Sequence, residues 1–169
     1  GVVYSNYRSG GTNRIIAYHS WDDFEDADRN TNAPNIIMTG SLDGNVSAIK
    51  VSPFTTDSST IFVGTESGSV FKVTNADTAD ANDNSTANWS NITGSQFLGS
   101  VSDIEFGKDE NHLFVTFHNY GVENIFYSED GGQSWTEKEG NLPDIPVRCI
   151  LQNPLSLNEV IIGTELGVW

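Results

Sequence analysis

The chain has 169 residues, 37% of them hydrophobic and 11% aromatic, which is enough apolar material for a packed core and argues against a disordered chain. With 8 Lys and Arg against 23 Asp and Glu the formal charge is −15, a balance that opposes nucleic acid and anionic membrane as partners. A single cysteine, Cys149, leaves no internal disulfide, and no apolar run approaches the ~18 residues of a membrane span.

Short runs rich in Val, Ile, Phe and Thr, broken by Gly, Pro, Asn and Asp, predict strands throughout. Near the N-terminus, Val2–Ser5 and Arg14–Tyr18 read as strands, joined by a loop over 6–13 that holds Tyr7 and Arg8. An acidic insertion over 22–28 precedes a further strand at Ile36–Gly40. Then come Val46–Val51, Thr60–Thr65, Val70–Val73 and, after a polar insertion over 77–84, Trp89–Gly94. The next set is Val101–Phe106, Leu113–Phe117, Ile125–Tyr127 and Trp135–Gly140, and the last is Val147–Gln152 and Val160–Thr164, with a third strand due at Gly167.

These runs repeat. Val46, Val101 and Val147 each open a strand whose fourth residue is isoleucine (Ile49, Ile104, Ile150). Gly64-Thr65-Glu66 returns as Gly163-Thr164-Glu165. Gly40, Gly94 and Gly140 stand six or seven residues before the next opening, and two of the fourth strands begin with Trp. Four short strands every ~40–50 residues is the spacing of propeller blades. A β-sandwich accounts for short strands but not for this recurrence. The fold class expected is therefore all-β, a β-propeller fragment of four-stranded antiparallel blades, about three and a half in number. It forms a single segment over 1–169, with blades at 1–40 (partial), 46–94, 101–140 and 147–169 (partial). The chain reads as an excerpt of a larger ring. Its exposed blade edges predict a homo-oligomer or a strand-swapped dimer.

Between third and fourth strands lies Ser128-Glu129-Asp130-Gly131-Gly132-Gln133-Ser134-Trp135, which fits S-x-D-x-G-x-x-W. Ser128 and Asp130 are suited to bond backbone N–H groups across the turn, Gly132 to take a conformation costly for other residues, and Trp135 to fold between blades. On this motif and the repeat, the chain resembles the Asp-box, or bacterial neuraminidase (BNR), repeat family, which includes sialidase-, xyloglucanase- and sortilin-like propellers. The resemblance implies that Ser128, Asp130, Gly132 and Trp135 are structural and lie opposite the usual binding face. The corresponding stretches after Thr74 and after Ser20 are degenerate. A sialidase of this family would need an arginine triad, and the chain has only Arg8, Arg14, Arg29 and Arg148, with Arg14-Ile15-Ile16 departing from the family's Arg-Ile-Pro.

Loops joining second to third and fourth to first strands share one face, so Tyr7, Arg8, His118 and Tyr120 are the candidate ligand contacts. Asp103, on an innermost strand, is a candidate for the central channel, with Glu105 on the same side. No catalytic residue stands out. Calcium is a candidate cofactor at the polar insertion through Asp77, Asp80 and Asp83, although the spacing is not that of an EF-hand; otherwise no cofactor is expected. Cys149, in an apolar stretch, reads as a small core residue. The function expected is a non-catalytic scaffold binding carbohydrate or protein, extracellular or on a cell surface. The alternative is part of a glycoside hydrolase with catalytic residues partly outside this chain.

Overall fold

The computed structural model describes residues 3–18, 35–37, 42–77 and 87–169. Among these residues the chain is all-β, with fourteen strands in four antiparallel sheets and no helix. The first sheet holds β1 (Val3–Ser9), β2 (Thr12–Tyr18) and β3 (Asn35–Ile37). The second holds β4 (Val46–Val51), β5 (Ile61–Thr65), β6 (Val70–Thr74) and β7 (Asn88–Asn91). The third holds β8 (Val101–Phe106), β9 (Leu113–Phe117), β10 (Ile125–Ser128) and β11 (Thr136–Glu137). The fourth holds β12 (Val147–Gln152), β13 (Val160–Thr164) and β14 (Gly167–Val168). Within every sheet, sequence neighbours pair, so each is a simple meander.

Two strand expectations need correction. Tyr7 and Arg8 do not sit in a loop. They belong to β1, paired with Arg14 and Asn13, because the connection shrinks to Gly10-Gly11, both at positive φ (58° and 84°). A two-residue turn of that kind matches the twist of a hairpin and lets the strands run on to Ser9 and Thr12. The fourth strand of the third sheet covers only Thr136 and Glu137, and Trp135 precedes it. Met38 to Gly40 and the insertion over 22–28 lie outside the described residues.

The recurrence seen in sequence reappears as geometry. The first strands of the second, third and fourth sheets each carry one irregularity at the same place, between Val46 and Ala48, Val101 and Asp103, and Val147 and Cys149. The extra residue, Ser47, Ser102 or Arg148, is the bulge. Strand faces then alternate with period two. One face of the second sheet (Ile61, Val63, Val73) packs on Ile15 and Ala17 of the first. Its other face (Phe62, Val70) packs on Val101, Ile104, Phe106, Leu113 and Val115 of the third. The reverse side of the third sheet (Phe114, Ile125, Tyr127) meets Val147, Ile150 and Ile162 of the fourth. This is why all five residues of β5 and of β9 are buried, whichever way they point. Approach is close: a Cβ on Gly64 would stand 2.4 Å from the Val101 side chain, so glycine is what lets the second and third sheets meet there.

The stack ends differently. Cys149, Leu151, Ile161 and Val168 share the free face of the fourth sheet and are exposed, Val168 by 77%. Cys149 is thus not a core residue. It occupies the position that Ala48 holds in the second sheet, on a face that the next sheet covers there and that no described residue covers here.

Successive sheets also touch through their first strands: β8 lies against both β4 and β12. Polar ties join them. Lys50 Nζ donates to Glu105 Oε2 at 2.6 Å, and Lys72 Nζ to Glu110 Oε2 at 2.8 Å.

Candidate functional site

A meander sorts its loops to two ends. In the third sheet the β8–β9 and β10–β11 connections share one end, and the β9–β10 and β11–β12 connections share the other.

At the first end, the turn over 128–135 is closed by its own side chains. Ser128 Oγ accepts the N–H groups of Gly132 (2.8 Å) and Asp130 (3.3 Å) and donates to Asp130 Oδ1 (2.8 Å). Asp130 also accepts the Ser134 N–H (2.9 Å) and hydroxyl (2.5 Å). The Ser134 hydroxyl, the Ser134 N–H and Ser128 favour the ionised form and hold the Asp130 carboxyl down to about 2. Gly132 has φ 90°, and a Cβ there would stand 2.8 Å from Ile92. Trp135 lies against Phe97 (5.1 Å between ring centres), and its Nε1–H donates to the Ile92 carbonyl of the preceding repeat at 2.8 Å. Ser128, Asp130, Ser134 and Trp135 are thus used internally or against the neighbouring sheet, which is structural work.

Asp103 is also engaged. Its Oδ1 accepts the Ile104 N–H (2.9 Å) and its Oδ2 the Ile150 N–H (3.0 Å), while Ser102 Oγ donates to the Val147 carbonyl (2.6 Å). Ile104 and Ile150 are the fourth residues of β8 and β12, so one carboxylate serves the same backbone group in two successive sheets. Burial pushes its pKa up against the effect of these two bonds. Both oxygens are committed to backbone, so as a ligand contact Asp103 is corrected to a tie between sheets.

The other end carries free polar chemistry. His118 and Tyr120 from the β9–β10 loop meet Arg148, the bulge residue of β12, and Glu165 from the β13–β14 turn. Glu165 is the hub: Tyr120 Oη donates to it at 2.8 Å, Arg148 Nη2 at 2.7 Å, and His118 Nε2 stands 3.6 Å away. The Tyr120 hydroxyl and then Arg148 lower the Glu165 pKa, while that same bond raises the Tyr120 hydroxyl. The Tyr120 ring is 62% exposed. The next residue, Gly121, lines a cleft of about 480 Å³ together with Gln96, Leu98, Glu123, Glu139 and Asp144 among others. Within it the Glu139 carboxylate accepts the Asn124 N–H, and the Glu139 pKa is raised by burial and by the neighbouring Glu123. Asp144 accepts the Gly121 N–H at 2.6 Å and so fixes the loop that carries Tyr120.

The structure therefore brings His118 and Tyr120 together and adds Arg148 and Glu165, which composition and motif did not single out. The signal was present: Glu165 repeats Glu66, and Arg148 falls at the recurring bulge. Tyr7 and Arg8 are on β1, and among the described residues no hydrogen bond or ion pair links them to this cluster. Asp77 accepts the Ser59 N–H at 2.6 Å; Asp80 and Asp83 lie outside the described residues. Among the described residues no group of three or more His, Cys, Asp or Glu is placed to hold a metal ion, and no helix is long and apolar enough to cross a membrane. No protein-family model matches the chain, and no curated protein matches it.

Proposed function

We propose that the four sheets are successive blades of a β-propeller of the Asp-box type, and that the chain is a non-catalytic scaffold binding carbohydrate at the loop end around Tyr120. The observation that carries this reading is the exposed Tyr120 ring, hydrogen-bonded to Glu165 and followed by Gly121, which lines an open cleft rich in acceptors. An exposed aromatic ring offers a flat apolar surface with a polar tip, suited to a sugar face, and carboxylates beside it accept hydroxyl hydrogens. The blade reading is supported by the recurring bulge, the alternate-face packing and the side-by-side first strands. The family reading is supported by the Ser128–Asp130–Ser134 bonding and by the reach of Trp135 to Ile92. We place the protein outside the cell or on its surface. We further propose self-association through the free face of the fourth sheet, where Leu151, Ile161 and Val168 are exposed.

Glycan-array binding that is lost in Tyr120→Ala, with unchanged thermal stability, is the expected result. Binding that survives that substitution would remove the site. A glycoside hydrolase is the second reading, favoured by Glu139, whose pKa is raised beside Glu123 in the same cleft. Two carboxyls that share a hydrogen bond are closer than the ~5 Å a retaining pair requires, so this reading needs a second group elsewhere. Release of reducing sugar from a bound glycan would favour it.

A further inference from the structure

The cleft of about 480 Å³ draws its walls from three connections: Gln96 and Leu98 between β7 and β8, Glu123 between β9 and β10, and Glu139 and Asp144 between β11 and β12. It lies where the chain passes from the second sheet to the third. Leu98 is 63% exposed, a large apolar side chain in the wall that neither sheet covers.

Its hydrogen-bonding capacity is one-sided. Of the side chains lining it only Gln96 carries an N–H donor, and Gln96 Nε2 already donates to the Trp135 carbonyl at 2.9 Å. The Gly121 N–H goes to Asp144 Oδ1 at 2.6 Å and the Leu142 N–H to the Glu139 carbonyl at 3.2 Å. What the side chains still offer is carboxylate, from Glu123, Glu139 and Asp144, with no Lys, Arg or His in the lining. Burial and the neighbouring Glu123 raise the Glu139 pKa, and no positive group in the lining offsets either cost. A cation arriving there offsets both.

We propose that the oligosaccharide taken by this cleft is one of amino sugars with free, protonated amines, an ammonium group sitting among Glu123, Glu139 and Asp144 and a sugar ring against Leu98. This rests on the carbohydrate reading of the same loop end and adds the class of sugar. An ammonium group brings three donors and a positive charge to a cleft of acceptors and negative charge. Acetylating the nitrogen removes the charge and two of the donors, and adds a carbonyl for which no lining side chain has a free donor. A uronic acid brings negative charge to three carboxylates. The Asn124 and Gly121 amides fix Glu139 and Asp144 before the ligand arrives, which lowers the cost of ordering them.

The net charge of −15 attracts any cation, so the test has to separate the cleft from the surface. Titration calorimetry at mildly acidic pH compares a glucosamine tetramer, its fully N-acetylated counterpart and a galacturonic acid tetramer. Saturable binding of the amine tetramer is expected, at least about tenfold tighter than the N-acetylated one, with no binding of the uronate. Added salt should weaken the amine tetramer selectively. Glu123→Gln, at an exposed position, should weaken it about fivefold, the size of one partly exposed charge pair, at unchanged melting temperature. Leu98→Lys, also exposed, places a positive charge in the wall and should weaken it by at least as much. Glu129→Gln removes the same charge at the opposite end and should change nothing. Equal affinity for the amine and N-acetylated tetramers, or an equal loss in Glu129→Gln and Glu123→Gln, would overturn the proposal. If the N-acetylated tetramer binds as well and is lost in Tyr120→Ala, the carbohydrate site stands and only the amine preference falls. If no tetramer binds, both fall.

Discussion

Asp103→Ala removes one carboxylate and leaves two backbone donors, the N–H groups of Ile104 and Ile150, without their acceptor. A hydrogen bond to a charged group contributes about 1.5–3 kcal/mol. Two such bonds would give about twice that, but burial disfavours the charge and the first strands are partly open to water, so a net loss of about 2 kcal/mol is expected. For a chain of this size that lowers the melting temperature by about 4–8 °C. The pH dependence has a definite sign. Burial raises the Asp103 pKa above 3.8 in the folded state, so the folded protein holds the proton more tightly than the unfolded chain. The associated stability is complete below pH 3.8 and is lost as pH rises through the folded value. The margin of the natural protein over Asp103→Ala should therefore be larger near pH 3 than at pH 7. Urea denaturation at both pH values measures the margin, and hydrogen exchange reads the two amides separately. Faster exchange at only one of Ile104 and Ile150, or a margin that grows with pH, would refute the reasoning.

Trp135→Ala removes a half-buried indole and its bond to the Ile92 carbonyl, and should destabilise by about 3 kcal/mol, with Trp135→Phe near 1 kcal/mol; denaturant midpoints separate the two. In an NMR titration the Asp130 carboxyl should titrate near 2, and its contribution to stability, present above the ordinary value of 3.8, should fade as pH falls from there through about 2. Gly132→Ala should lower the melting temperature, because the position combines φ 90° with a clash against Ile92. Ile161→Glu together with Leu151→Glu should abolish concentration-dependent association in sedimentation while leaving the fold intact, since both side chains are already in water.

What could be read in advance was whatever depends on period and spacing. Strand positions in the second and third sheets followed from unbroken runs of Ile, Val, Leu and Phe, because both faces of those sheets are covered and consecutive residues of β5 and β9 are buried. The internal bonding of Ser128, Asp130 and Gly132 followed from residue types two or four apart in one turn. Contacts between distant segments were not readable. Nothing local to Asp103 says that its second oxygen meets an amide far along the chain, and nothing local to Glu165 says that Tyr120 and Arg148 converge on it. Tyr7 and Arg8 were misplaced for a different reason. Polar residues before Gly10-Gly11 look like loop, whereas the two glycines close the turn alone and leave the polar residues in the ladder.

The two ends of the sheets differ in what their polar groups are free to do. At the Ser128–Trp135 end, and at Asp103 on β8, the Ser128, Ser134, Asp130 and Asp103 oxygens meet backbone groups or a neighbour in the turn, so a ligand binding to them would have to break an existing bond. At the other end, Glu165 is bonded only to side chains, and Tyr120 and Arg148 reach it from separate elements with their outer surfaces in solvent. A sugar hydroxyl arriving there can exchange one side-chain partner for another at little structural cost. The Asp144 bond to the Gly121 N–H meanwhile keeps the Tyr120 loop fixed. Binding should therefore respond to Tyr120 and Arg148 without a change in stability, and stability to Asp103 and Trp135 without a change in binding.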